Sequence, residues 1–222
     1  MLTPLQARLA EIITSLPEAR EFALAGAGGL VVHGVINRTT RDLDYFAAPG
    51  DESAVERLRD ALERALDEAS LVHARQRDLP TFVRLEVADG ADSCEVDLAF
   101  DYRALPIATS GHGPTLAVEE LAANKVLALF DRAEARDFLD LDVLTRRFEL
   151  RSLVALASQK DTGFEIEAFR EALGSFDRFT AEDLGVSPSE HERLRAAVKG
   201  WLSYLDREQE REPPSRGPGL GL

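Results

Sequence analysis

FALAGAGGLVVHGVINRTTRDLDYF, residues 22–46, is the stretch from which the predicted architecture of this chain can be built. A short apolar run leads into a cluster of glycines, and Asp42 and Asp44, here called the acidic pair, stand near its end. If residues 42–46 form a β-strand, both carboxylates project to the same side, because alternate residues of a strand share a face. The stretch therefore predicts a strand, a glycine turn with a short helix, and a second strand that carries the acidic pair.

The chemistry of this stretch points to a divalent metal ion and phosphate. Two carboxylates on one face repel each other unless a cation lies between them, and hard oxygen ligands suit Mg²⁺, which joins carboxylates to substrate phosphates. Gly26, Gly28 and Gly29 could let backbone amides approach those phosphates. The residues thus favour a metal-dependent phosphoryl or nucleotidyl transfer site. The alternative is a surface turn, since glycine-rich, Asp-containing segments are common.

Composition limits the class of protein. A chain of 222 residues can form one large domain or two small ones, and 45% hydrophobic with 30% charged residues is typical of a soluble globular protein. The single cysteine excludes an internal disulfide, and no apolar run approaches the roughly 20 residues that span a bilayer. We therefore expect a cytoplasmic protein with no membrane partner. The net charge of −14 argues against broad electrostatic binding to nucleic acid, although it leaves room for a local basic groove.

A third carboxylate is predicted near the acidic pair. Apolar and polar residues alternate over residues 83–87 and again over 93–100, which predicts two strands joined by a turn at residues 88–92. On the second strand, Asp97 lies on the polar face. Beside the strand of the acidic pair, it would complete a site for one or two metal ions. The alternative is the polar outer face of an edge strand.

Residues 101–114 look like a loop, and after them the strand signals stop. Apolar spacing then predicts helices at about residues 116–132 and 135–147, with further helices towards the C-terminus. Lys125 lies beside an apolar stripe, where it either extends to solvent or points its ammonium group at a phosphate. We expect a mixed α/β core over residues 1–108, a helical domain over 109–206 that completes the site, and a disordered tail over 207–222.

Five motifs occur in a family-specific order. They are Leu24-Ala25-Gly26-Ala27-Gly28, Arg38-x-Thr40-x-Asp42-Leu43-Asp44, Val96-Asp97-Leu98, Glu120-Leu121-x-x-x-Lys125 and Ala135-Arg136-Asp137-Phe138-Leu139-Asp140-Leu141. Over roughly residues 20–145 the chain resembles the AbiEii/AbiGii-type nucleotidyltransferases. That family includes toxins of toxin–antitoxin and phage-abortive systems and the MenT-type toxins of mycobacteria.

The resemblance implies an α+β fold: a DNA polymerase β-like nucleotidyltransferase core with a mixed β-sheet flanked by helices, followed by a helical C-terminal half. It also implies transfer of a nucleotide from an NTP with Mg²⁺, or Mn²⁺ in its place. A tRNA 3′ end is the acceptor of some members, and a cognate antitoxin is an implied partner.

Residue roles follow from the same resemblance. It implies that Asp42, Asp44 and Asp97 hold metal and that Asp42, Asp44, Lys125 and Asp137 are catalytic. Nucleotide binding is implied for Gly26, Ala27, Gly28, Thr40, Arg41 and Lys125, with Arg38 or Arg41 neutralising triphosphate charge. Many relatives carry a hydroxyl where this chain has Ala27-Gly28, so backbone amides would have to donate there.

Two other functions are consistent with the sequence. One is a nucleotide-binding or regulatory protein with weak catalysis on the same scaffold, suggested by the altered glycine motif and the acidic surface. The other is a small-molecule nucleotidyltransferase that modifies an antibiotic, since an acidic pocket suits cationic substrates.

Overall fold

A computed structural model describes residues 1–211 of the chain, and over these residues seven strands form one mixed β-sheet. The strands are β1 (Phe22–Leu24), β2 (Asp42–Ala47), β3 (Val72–Leu79), β4 (Phe82–Asp89), β5 (Asp92–Phe100), β6 (Ala108–Ser110) and β7 (Gly113–Thr115). Their order in the sheet is β3-β4-β5-β2-β1-β7-β6. The pairs β2–β5 and β1–β7 are parallel, and the other neighbours are antiparallel.

Helices precede, interrupt and follow the sheet. They are α1 (Pro4–Ser15), α2 (Gly26–Val32), α3 (Ala54–Glu68), α4 (Val118–Asp131), α5 (Ala135–Leu144), α6 (Leu150–Lys160), α7 (Ile166–Gly174), α8 (Ala181–Leu184) and α9 (Pro188–Arg211), with 3-10 turns at Pro17–Ala19 and Ser175–Arg178. A mixed sheet flanked by helices and followed by a helical C-terminal part confirms the predicted α+β fold.

The alternation of side chains along β2 separates two hydrophobic clusters. Leu43 and Tyr45 are fully buried against α1 and α3 on one face of the sheet. On the other face, α2 and the helices from α4 onward form a second cluster that includes Ala23 and Ala25. Since alternate residues of a strand face opposite ways, the acidic pair lies on the face of the sheet that α2 and the helices from α4 onward cover.

Three local predictions were wrong. The segment predicted as a loop contains the β6–β7 hairpin, which extends the sheet beside β1, and β3 was not predicted. Residues 207–211 of the predicted disordered tail belong to α9, while residues 212–222 lie outside the described part of the chain. The division into domains at residue 108 stays a prediction. No helix within residues 1–211 is both long and apolar enough to cross a membrane.

Candidate active site

Strand register brings the three predicted carboxylates together. β2 runs parallel to β5 with Asp44 opposite Asp97, and Asp42 precedes on the same face. Asp42, Asp44 and Asp97 all line one cavity of about 480 Å³. The sequence prediction that these side chains meet at one face of the sheet is confirmed.

The site concentrates negative charge at Asp44. Burial, followed by repulsion from Asp42 and from Asp97, raises the pKa of Asp44 to about 7, although Lys125 and Arg84 act in the opposite direction. Burial and the neighbouring carboxylates make the ionised form of Asp44 costly, and the two nearby cations do not fully compensate. The acidic pair therefore fits a divalent cation, since both groups offer hard oxygen donors on one wall of an open cavity.

Asp97 is held differently from the acidic pair. Arg84 stands opposite Asp97 across the β4–β5 hairpin, and its Nε and Nη2 donate to the two carboxylate oxygens at 2.7 and 2.6 Å. Within residues 1–211, no three His, Cys, Asp or Glu side chains are arranged to hold a metal ion. The hairpin register thus gives Asp97 an arginine partner, and its role as a metal ligand stays a prediction.

Gly26 brings the backbone against the acidic pair. It begins α2 with φ of +55°, and a Cβ at this position would lie 1.7 Å from Oδ2 of Asp44. The amide of Ala25 donates to the carbonyl of Asp44 at 2.7 Å, which fixes the approach. Ala27 lines the cavity, but Gly28 packs against Leu43 and is absent from the lining. Gly28 therefore allows α2 to lie close to the sheet, and the structure does not place it at a ligand.

A buried carboxylate orients two of the cations that line the cavity. Asp140 on α5 is 1% exposed and accepts from Nε and Nη2 of Arg38 and from Nζ of Lys125, at distances of 2.7–3.0 Å. Burial alone would raise the pKa of Asp140, yet Lys125 and Arg38 outweigh burial and lower it. Lys125 is therefore an ion-paired ammonium in the cavity wall and does not extend to solvent.

Asp137 has a structural role beneath the cavity. Its fully buried carboxylate accepts from Nε and Nη2 of Arg132, both at 3.0 Å, and from the amide of Glu134, which caps α5. Arg132 and Arg136 line the cavity, but Asp137 does not. Asp137 therefore orients Arg132, which lines the cavity, and its catalytic role stays a prediction.

The loop before β2 supplies the last predicted residues. The hydroxyl of Thr40 donates to the carboxylate of Asp42, and its carbonyl accepts from Nε2 of Gln6 at 2.9 Å. Thr40 thus orients one member of the acidic pair. Arg41 is exposed at the cavity mouth and has no ion-pair partner within the described residues. Arg41 is the cation that remains available for an entering anion.

Several cavity residues were not predicted, among them Arg84, Arg132 and Asn124, and the latter two lie on or just after α4. The predicted turn at residues 88–92 would place residue 84 opposite residue 96. The observed two-residue turn at residues 90–91 places Arg84 opposite Asp97 instead. No comparable short-range signal marks the other two.

The sheet and the cavity together indicate the class of enzyme. An acidic pair on a strand contacts the start of a glycine-rich helix and shares one cavity with several cations, which suits an enzyme that handles a nucleoside triphosphate. The chain is a nucleotidyltransferase. It belongs to the AbiEii nucleotidyl transferase toxin family of type IV toxin–antitoxin systems, whose family model matches residues 8–216.

Solved structures show the same fold at low sequence identity. MenT4, a nucleotidyltransferase toxin from Mycobacterium tuberculosis, is 18% identical with a TM-score of 0.60, and the match covers 93% of this chain and 84% of MenT4. JHP933 from Helicobacter pylori is 17% identical with a TM-score of 0.56, covering 95% and 97% of the two chains. No curated protein sequence matches the chain.

Proposed function

We propose that this protein transfers a nucleotide from an NTP to an acceptor hydroxyl in a Mg²⁺-dependent reaction. The proposed acceptor is a tRNA 3′ end. The proposed biological role is the toxin of a toxin–antitoxin pair with a cognate antitoxin. The observation that carries the proposal is the presence of both charges in one cavity. The acidic pair lines it together with Lys125, Arg38 and Arg41. Such a reaction would take place in the cytoplasm, where NTPs and tRNA are found.

Each side chain has a task in this reaction. Lys125 and Arg38, oriented by Asp140, bind the phosphates of the NTP, and Arg41 at the mouth neutralises remaining charge. Gly26 lets the start of α2 lie against Asp44, where any side chain would collide with the carboxylate. Most of the rate would then come from positioning and charge stabilisation, as is general for phosphoryl transfer.

The acidic pair would hold the metal ion, with Thr40 orienting Asp42. When bound, Mg²⁺, or Mn²⁺ in its place, would supply charge neutralisation at the reacting phosphate. The acceptor oxygen forms a bond to the α-phosphorus, the bond from that phosphorus to the bridging oxygen breaks, and pyrophosphate leaves with the electron pair. The acceptor proton passes to solvent.

Label transfer tests the proposal. The protein is incubated with each α-³²P-labelled NTP, Mg²⁺ and total tRNA, and the RNA is separated by gel. We expect a labelled tRNA band that disappears with Asp42→Asn and with chelator. The absence of label from any RNA with all four NTPs would refute the tRNA acceptor, and labelling of an aminoglycoside instead would select the antibiotic-modifying alternative.

A second measurement tests the toxin role. Expression of the wild-type chain is expected to arrest growth, and Asp44→Asn is expected to restore it. Nucleotide binding without turnover and without growth arrest would instead favour the regulatory alternative.

A further inference from the structure

A second cavity adjoins the first along α4. It has a volume of about 440 Å³ and shares Phe46, Asn124, Ala128 and Arg132 with the first cavity. Of the residues on α4, Lys125 lines only the first cavity, while Leu127 and Asp131 line only the second. A ligand whose phosphates lie against Lys125 can therefore extend along the helix into the second cavity.

An unpaired acceptor stands where the cavities meet. Nδ2 of Asn124 donates to Oδ2 of Asp101 at 3.4 Å, so the amide cannot be turned without placing its oxygen against a carboxylate. This leaves Oδ1 of Asn124 buried, and it has no hydrogen-bond partner within the described residues. Buried polar atoms are normally paired, and an unpaired one is costly. A ligand that donates to this oxygen would remove the cost.

An aromatic ring borders the same place. Phe46 follows Asp44 by two residues on β2, so it points to the same face as the acidic pair, and it lines both cavities. Aromatic side chains in such positions stack against the faces of nucleobases.

The charges of the second cavity exclude another phosphate. Three aspartates line it, at positions 101, 131 and 161, against Arg132 and Lys160. Lys160 is already ion-paired with Glu120 and Asp101, and Arg132 with Asp137. An excess of acceptors favours a neutral ligand rich in N–H donors over an anion.

We infer that the second cavity binds the nucleobase of the NTP and that Oδ1 of Asn124 selects bases with an exocyclic amino group. The inference rests on the proposed function, since it places the triphosphate in the first cavity. The amino N–H donates to Asn124 while the ring stacks on Phe46. Uracil presents a carbonyl at the corresponding position of cytosine, so its oxygen would face the amide oxygen.

Binding of nucleotides that cannot react tests the inference. Affinities of the α,β-methylene analogues of CTP and UTP, and of ATP and purine riboside triphosphate, are measured by calorimetry with Mg²⁺. We expect the amino-bearing member of each pair to bind about tenfold more tightly, because the other leaves a buried acceptor unpaired. Asn124→Leu removes the acceptor while Asp101 keeps Lys160 as a partner, and it is expected to bring both ratios close to one.

Phe46→Leu is the matched control. It removes the stacking surface and is expected to weaken all four nucleotides by a similar factor while the tenfold ratios persist. Thermal melts confirm that both variants are folded. Equal affinities within each pair for the wild-type protein, or ratios unchanged in Asn124→Leu, would overturn the base-binding assignment and leave the proposed function intact. If none of the four nucleotides binds, the proposed function fails and the inference fails with it.

Discussion

The backbone at Gly26 lies so close to the carboxylate of Asp44 that only glycine fits there. Gly26→Ala would add a Cβ 1.7 Å from Asp44 Oδ2 at a positive φ, so Asp44 has to move. We expect label transfer to fall roughly a hundredfold, since a displacement of about 1 Å in a reacting site costs that much. Strain at positive φ adds a loss of roughly 1–2 kcal/mol in the free energy of unfolding.

Gly34→Ala is the control for that prediction. Gly34 has φ of +65° but nothing within 4 Å of an added Cβ. Urea unfolding is expected to show the strain of positive φ in both variants, with a larger loss of stability in Gly26→Ala because of the collision with Asp44. Activity is expected to be retained only in Gly34→Ala. Equal activity of the two variants would show that the contact with Asp44 does not matter.

Asp140 is predicted to matter for both stability and phosphate binding. Asp140→Asn leaves the ammonium of Lys125 without its charge partner, and Arg38 as well. We expect a loss of roughly 2–3 kcal/mol in the free energy of unfolding, below the usual cost of a broken buried pair because Arg38 is partly solvated. Label transfer should fall at least about tenfold, since the two groups proposed to bind phosphate lose their orientation.

Asp142→Asn is the control on the same helix. It breaks the ion pairs with Arg146 and Arg193, which do not line the cavity, and should retain activity.

The pH dependence of stability gives a second test of the ion pairs of Asp140. Its pKa in the folded protein lies below the ordinary value of 3.8, so the unfolded chain binds the proton more tightly. The stability that Asp140 contributes is present above about pH 4 and is lost as pH falls below the ordinary value. Urea unfolding between pH 3 and 7 should show a steeper acid loss in the wild-type protein than in Asp140→Asn. Parallel curves would show that the ion pairs contribute nothing.

At the scale of elements, two helical glycines are predicted to respond oppositely to alanine. A Cβ on Gly29 of α2 would lie 2.9 Å from Leu121 of α4 and 3.2 Å from the carbonyl of Leu24, so Gly29→Ala should destabilise by roughly 1–3 kcal/mol. Gly200 of α9 has nothing within 4 Å, and Gly200→Ala should stabilise by about 0.5–1 kcal/mol. Thermal and urea unfolding of both variants measure this. Stabilisation by Gly29→Ala would show that α2 and α4 are not tightly packed.

Local sequence patterns predicted the elements that have a clear period. β2, β4 and β5 alternate between a buried and a polar face, and the helices show apolar stripes, so both were predictable. β3 is an edge strand whose residues are mostly exposed, and β6 and β7 have three residues each, which leaves too little pattern to detect. Strand register and helix packing, by contrast, give Asp97 an arginine and place Asp140 against Lys125, which the motifs alone did not indicate.

At the scale of the whole molecule, the cavity is shared between distant parts of the chain. Arg38 and Asp140 are 102 residues apart and form a bidentate ion pair, and the larger hydrophobic cluster joins β1 to the helices from α4 onward. Residues from the sheet and from the helical half line the same walls. A ligand seated there contacts both parts, so its binding free energy stabilises them together.

Amide hydrogen exchange, measured with and without a non-reacting NTP and Mg²⁺, tests whether a bound ligand stabilises the sheet and the helical half together. A ligand that binds only the folded state stabilises it by about 2.7 kcal/mol at one hundred times Kd, which for a chain of this size is roughly 5–10 °C in Tm. We expect slower amide exchange in α2 and β2 and also in α4 and α5, because the bound nucleotide and metal would contact α2, β2 and Lys125 of α4, and Asp140 of α5 is ion-paired with Lys125. Exchange in β3, at the far edge of the sheet, should change least. Protection confined to α2 and β2 would show that Lys125 and Asp140 do not take part in binding, and the nucleotide would then be held by the strand and the glycine turn alone.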